Sequence, residues 1–234
     1  MKTKLAIPVI IMLCLVWSCS GPNADEEHGH PHVAGDNSHD DLDFADVLEK
    51  KTVEATSVSP EYLQLATNIE VIPNILDSTK RVGVLTHEGV FGPFLFSEKI
   101  RSFFIELKPG MFLSEHPHPS ESIVYTVSGK WVLCSEGKRQ VMEAGSLFRF
   151  GSNMPTGWEA PFSEGAMLLI VKPKSEGENY ETYMDGLFAM KAKLDNERIN
   201  GNEFYYNELK SNHPAIEFAR SVNPDFDEVL KINY

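Results

Sequence analysis

Two histidines one residue apart, His116 and His118, stand in the middle of GMFLSEHPHPSES at residues 110–122. Residues i and i+2 of a β-strand point to the same face, so this spacing brings two imidazoles together. Imidazole nitrogens bind divalent transition metals. Pro117 and Pro119 cannot donate to a sheet ladder, so a strand here begins at an edge or at the mouth of a barrel, where a ligand can enter.

The rest of the chain offers few competitors. It has no phosphate-binding glycine loop, dinucleotide fingerprint, nucleophile elbow or Cys-x-x-Cys pair. His28, His30, His32 and His39 lie among acidic residues near the N-terminus. They either form a loose site for zinc, copper or nickel or are incidental to an acidic spacer. Cys134 ends a strand-like run, where a buried inert thiol is expected. Arg149, which interrupts SLFRF, is expected in solvent, and the isolated His87 and His213 are expected at the surface.

The elements that must position the two histidines are short apolar runs between residues 81 and 172: RVGVLT, VFGPFLFS, IRSFFIEL, SIVYTV, KWVLC, RQVM, SLFRF, TGWEA and AMLLIVK. Several alternate with period two and are rich in Val, Ile, Phe and Tyr, which predicts strands. Turn chemistry separates them at Pro109 and Gly110, Ser128 and Gly129, SEGK (135–138), and Ala144 and Gly145. An all-β core of sandwich or barrel type follows.

This constellation resembles the cupin superfamily, whose domains are small double-stranded β-helix barrels. The family's first stretch runs from a glycine to a His-x-His pair, then to a glutamate and a closing glycine. Gly110, His116, His118 and Gly129 match that spacing. The second stretch corresponds to GSLFRFGSNMPTGWE (145–159), with Thr156 where the family has a third histidine. The family's glutamate would fall at Ser122, next to Glu121. Strand parity puts 116, 118 and 122 on one face and 121 on the other, so a bulge after Pro119 would be needed to turn Glu121 inward. The resemblance thus implies a metal site of His116, His118 and Glu121 holding Fe, Mn, Zn or Ni, with Glu115 and Glu159 as further candidate carboxylates.

Three readings of the site stay open. A carboxylate completes a two-His, one-carboxylate face of the kind used by non-haem iron dioxygenases. Alternatively, a barrel that has lost catalysis binds an apolar or sugar-like small molecule, in a pocket drawn from Phe94, Phe103, Phe104, Tyr125, Trp131, Phe148, Thr156 and Trp158. In the third reading the histidines are structural and the protein acts through its surface.

Around the barrel, expected at residues 80–172, the chain divides further. Residues 1–18 carry Lys2 and Lys4 before the apolar run LAIPVIIMLCLVW and read as a signal peptide, too short for a permanent span. VWSC resembles a bacterial lipobox, which implies lipid attachment at Cys19 and a cell-envelope protein on a bacterial membrane, the outer membrane for preference, periplasmic or surface-exposed. Residues 19–50 read as a disordered acidic tether. Residues 51–79 form a lead-in with a short helix predicted over SPEYLQLATNIEVI, and 173–234 a helical C-terminal extension. Its first helix is an amphipathic stretch of about four turns from Tyr180, and its second lies near residues 214–220. These helices pack outside the β domain or pair subunits in a homodimer. The formal charge of −13 argues against a nucleic-acid partner, which requires a basic surface. Once Cys14 leaves with the signal and Cys19 is acylated, Cys134 has no thiol left to pair with.

Overall fold

The computed structural model describes residues 62–234. The expected signal peptide at 1–18, Cys19, the expected tether with its four histidines and the start of the lead-in lie outside the described residues.

Nine strands form one antiparallel sheet: β3 (Val84–Thr86), β4 (Gly89–Phe96), β5 (Ile100–Leu107), β6 (His116–His118), β7 (Ser122–Ser135), β8 (Lys138–Glu143), β9 (Leu147–Phe150), β10 (Met154–Glu159) and β11 (Ala166–Pro173). Their order is β3-β4-β5-β11-β7-β10-β6, and β8 and β9 also pair with β7. The sheet curls into a half-barrel around the main core, in agreement with the expected all-β architecture. The edge expected for the His-Pro-His strand is also present, because β6 ends the sheet path.

The turn expected at Ser128 and Gly129 does not form. β7 runs unbroken for 14 residues through this point. Its first half pairs with β9 and β11 and its second half with β8 and β10. Gly129 sits at the changeover with φ +77°, and a Cβ there would lie 2.1 Å from the Gly165 carbonyl oxygen. A side chain cannot occupy that corner, so glycine here bends the strand and does not end it.

The lead-in also differs from expectation. Leu63–Ala66 (β1) and Ile69–Val71 (β2) form an antiparallel hairpin where a helix was predicted. Asn68, at φ 62°, supplies the left-handed turn residue that asparagine tolerates. The apolar residues 62, 63, 65, 66 and 69 fit a helical face, but the period-two reading of Leu63 and Leu65 is the one adopted. The Tyr62 hydroxyl donates to the Phe94 carbonyl and ties the hairpin to β4.

Past β11 the chain is helical, as expected. Asn179 caps α1 (Tyr180–Ile199): its side-chain oxygen accepts from the amides of Glu181 and Thr182 at 2.9 and 3.1 Å. Thr182 Oγ1 accepts from the Asn179 amide at 2.9 Å, completing a capping box. At 20 residues α1 is longer than the predicted four turns. It packs against β3 and β4 and buries Tyr183, Gly186, Leu187 and Leu194. The helices α2 (Pro214–Val222) and α3 (Phe226–Val229) build a second core on Phe112 and Tyr206. His213 caps α2 by accepting from the Ala215 amide at 3.2 Å and sets its ring edge on Phe112, so it is a half-buried structural residue and not the surface residue expected.

The main core lies on the concave face of the sheet, with Phe103, Ile105, Val124, Leu168 and Ile170 pointing inward. Phe94, Phe104 and Met167 form a smaller cluster apart from it. Each fully buried large side chain contributes about 1.5–3 kcal/mol relative to exposure. Among the described residues no helix is long and apolar enough to cross a membrane.

Candidate ligand cavity

Alternation along the strands decides what faces inward. On β5 the inward set is Arg101, Phe103 and Ile105, and on β11 it is Ile170 and Lys172. β6 brings His116 and His118 to the same space, β7 brings Ser122, β9 Phe150 and β10 Trp158. Together with Glu88 from the β3–β4 turn they line a cavity of about 140 Å3. Phe91 of β4 and α1, through Tyr183, Leu187, Met190 and Lys193, complete the wall. The C-terminal helices were expected to pack outside the β domain or to pair subunits; α1 packs on β3 and β4 and also supplies one wall of the cavity.

The two histidines converge as their spacing requires, with ring centroids 4.5 Å apart. His116 Nδ1 lies 3.1 Å from the Ser114 carbonyl oxygen; a donor bond there fixes the tautomer with Nε2 as the acceptor nitrogen. His118 packs on Phe150 at 4.8 Å and on Trp158 at 5.9 Å. In the ladder His116 pairs with Thr156 and His118 with Met154. Gly157 permits the close approach of the chain that leads into β6, since a Cβ there would lie 2.5 Å from the Leu113 carbonyl oxygen.

Among the described residues neither Glu121, Glu115 nor Glu159 is placed beside the histidines. Ser122 is buried and lines the cavity, and Glu121 is exposed, as simple parity without a bulge requires. Glu115 accepts from Cys134 Sγ at 2.9 Å and from the Gly137 amide at 2.8 Å, and so caps the β7–β8 turn. Glu159 is held by Arg139 at 2.9 Å and by the Tyr206 hydroxyl at 3.2 Å. Among the described residues no group of three or more His, Cys, Asp or Glu side chains is placed to hold a metal ion. Ligand number and charge set metal affinity, so the donor set among the described residues does not by itself fit a resident metal.

The expected pocket aromatics divide. Phe103 and Trp158 line the cavity. Tyr125 is exposed on the other side of the sheet. Trp131 is fully buried, donates Nε1 to Thr126 Oγ1 at 2.9 Å and packs on Phe148, so both belong to the core. Phe94 and Phe104 belong to the separate small cluster. Thr156 is buried opposite His116, with no hydrogen-bond partner for Oγ1 among the described residues.

Several lining residues were missed. Arg101 and Lys172 are register partners on β5 and β11 and are both buried. Each interrupts an apolar strand at an inward-facing position, a parity signal that the sequence did carry. Arg101 is ion-paired with Glu178 and stacks over Phe103 at 5.6 Å and Tyr183 at 5.2 Å. Glu88 is only 7% exposed. Burial, reinforced by Glu197 and opposed by Lys193, pushes its carboxyl up to about 8, so it is largely protonated at neutral pH. Neither Glu88 Oε1 nor Trp158 Nε1 has a hydrogen-bond partner among the described residues.

His87, expected at the surface, is half-buried: Nδ1 lies 2.8 Å from the Tyr205 hydroxyl and Nε2 lies 3.1 Å from Asp195 Oδ1. It ties the β3–β4 turn to α1. Arg149 is exposed and Cys134 is buried, as expected, and burial together with the Glu115 bond pushes the thiol up to about 12.

A curled antiparallel sheet with a His-x-His edge strand facing an interior cavity defines a class of small β-barrel domains. Residues 103–172 match the family model described as Cupin domain, and the chain carries a cupin domain there. Among solved structures it is similar to an RmlC-like cupin from Shewanella frigidimarina NCIMB 400, at 17% identity and a TM-score of 0.38, covering 43% of this chain and 89% of that one. It is also similar to the polyketide cyclase RemF from Streptomyces resistomycificus, at 15% identity and a TM-score of 0.39, covering 43% and 78%. A third is KdgF from Halomonas sp., at 16% identity and a TM-score of 0.34, covering 37% and 80%. No curated protein matches the chain.

Proposed function

We propose that the protein is a cell-envelope lipoprotein whose cupin domain binds a small organic molecule in the cavity beneath α1. The observation that carries this reading is the cavity itself. It is apolar and aromatic over most of its wall, with a few polar groups converging on it, as in small-molecule sites. A cavity of about 150 Å3 is known to take a single benzene ring, which sets a ring-sized ligand as the scale here. The apolar run after Lys2 and Lys4, followed by VWSC, supports export and lipid attachment at Cys19. A lipid there anchors the molecule without a basic membrane-binding face.

Binding is tested by thermal unfolding of the full chain with ring-sized compounds, with and without a chelator. A rise in Tm that survives the chelator is expected, and Trp158→Ala should reduce it. Anchoring is tested by fractionation: Cys19→Ser should move the protein from the membrane to the soluble fraction.

A metal-dependent dioxygenase is the second reading, favoured by the convergence of His116 and His118. It requires bound Fe, Mn, Zn or Ni and oxygen consumption, both lost in the double variant His116→Ala, His118→Ala. Replacing His28, His30, His32 and His39 in both proteins removes the N-terminal histidines from that comparison. Equal metal content in the two proteins ends the reading.

A further inference from the structure

We infer that the cavity takes an uncharged, ring-sized molecule that hydrogen-bonds to Trp158 and Glu88, and that it discriminates against anionic and cationic molecules of the same shape. This rests on the reading of the cavity as a ligand site and adds the charge and polarity of the ligand.

The first support is that the charges of the lining are already engaged within the protein. Arg101 is ion-paired with the buried Glu178. Lys193 Nζ lies 3.9 Å from Glu197 Oε1, one turn along α1. Lys172 is likewise engaged. Glu88, the one carboxyl of the lining, is held largely protonated by its burial. A charged ligand would give up its hydration here and find only groups whose counter-charges are in place, so its desolvation would go uncompensated.

The second support is a pair of buried polar atoms. Among the described residues Trp158 Nε1 and Glu88 Oε1 have no hydrogen-bond partner, although Trp158 is only 5% exposed and Glu88 only 7%. Both residues line the cavity. An indole N–H donates and cannot accept, so it calls for a carbonyl or hydroxyl oxygen. A protonated carboxyl both donates and accepts, so a hydroxyl or an amide suits it. Buried polar atoms of this kind are costly when left alone, and a ligand that supplies their partners recovers that cost. The rest of the wall, with Phe91, Phe103, Phe150 and Leu187, suits a ring.

The test is calorimetric titration of the full chain at about pH 6 with benzamide, benzoate, benzamidinium and toluene. The first three are nearly isosteric and differ in charge; toluene keeps the ring and lacks the polar head. Benzamide should bind about ten-fold or more tightly than either charged probe, and about five-fold or more tightly than toluene. Trp158→Phe keeps a ring and removes the donor, and should narrow the benzamide-to-toluene ratio. Should that variant not fold, Glu88→Leu removes the other polar atom and should narrow the same ratio, and the wild-type ratios stand without either. A charged probe that binds as tightly as benzamide, or toluene that does, overturns the inference and leaves the cavity reading in place. Silence from all four probes overturns both.

Discussion

Glu88 gives the clearest chemical handle on single residues. Its carboxyl is raised from the ordinary 4.5 to about 8, so the folded protein holds a proton that the unfolded chain has released across that window. This group therefore makes stability fall as pH rises from about 4.5 to about 8, with a slope of at most about 1.4 kcal/mol per pH unit, and adds no further change above it. Glu88→Gln removes that component. The wild-type minus variant unfolding free energy, followed by denaturant titration at several pH values, should decline through the window and then level off; a rising or flat difference contradicts the assignment. At this scale the sequence brought out His116, His118, Phe103 and Trp158 among the residues that line the cavity. His116 and His118 were legible because a strand has a fixed period. Arg101 and Lys172 were legible in principle from the same parity. Glu88 and the wall from α1 were not, because a residue beside a turn carries no periodicity and the docking of a remote helix is set by tertiary packing.

At the scale of elements, strand alternation fixed most of the sheet and helical spacing found α1 and α2. The failures have local causes. Asn68 accepts a left-handed backbone and turned a possible helix into the β1–β2 hairpin. Gly129 looked like a turn residue and proved to be the corner of a continuous strand. Gly157 plays a related part on β10, where the chain leading into β6 passes too close for a Cβ. Gly157→Ala should cost about 1–3 kcal/mol by overpacking. It should also reduce ligand-induced stabilisation, because the displaced segment 113–115 leads directly to His116. Unchanged unfolding midpoints with and without ligand would show that the segment yields freely.

For the whole molecule, α1 of the C-terminal extension supplies a wall that the cupin half-barrel lacks on one side of its cavity. The Arg101–Glu178 pair fastens the segment before α1 to β5, and His87 with Asp195 fastens the far part of α1 to the β3–β4 turn. Shortening the chain at residue 173 should therefore open the cavity and expose Phe91, Phe103 and Phe150, raising the binding of an apolar dye such as ANS well above that of the full chain. Dye binding equal to that of the full chain would mean that the sheet closes without α1.

β7 carries one more consequence. It pairs with β8, β9, β10 and β11, and Val124 meets Ile170 from the far end of the domain. No partner of such a strand can be released singly without leaving the others to hold it. Its interior amides should exchange with deuterium only when the entire domain unfolds, whereas the exposed β1–β2 hairpin should exchange within seconds to minutes. The same wide spacing of partners makes assembly around β7 the late, slow event of folding, because distant segments must meet before any of them is rewarded.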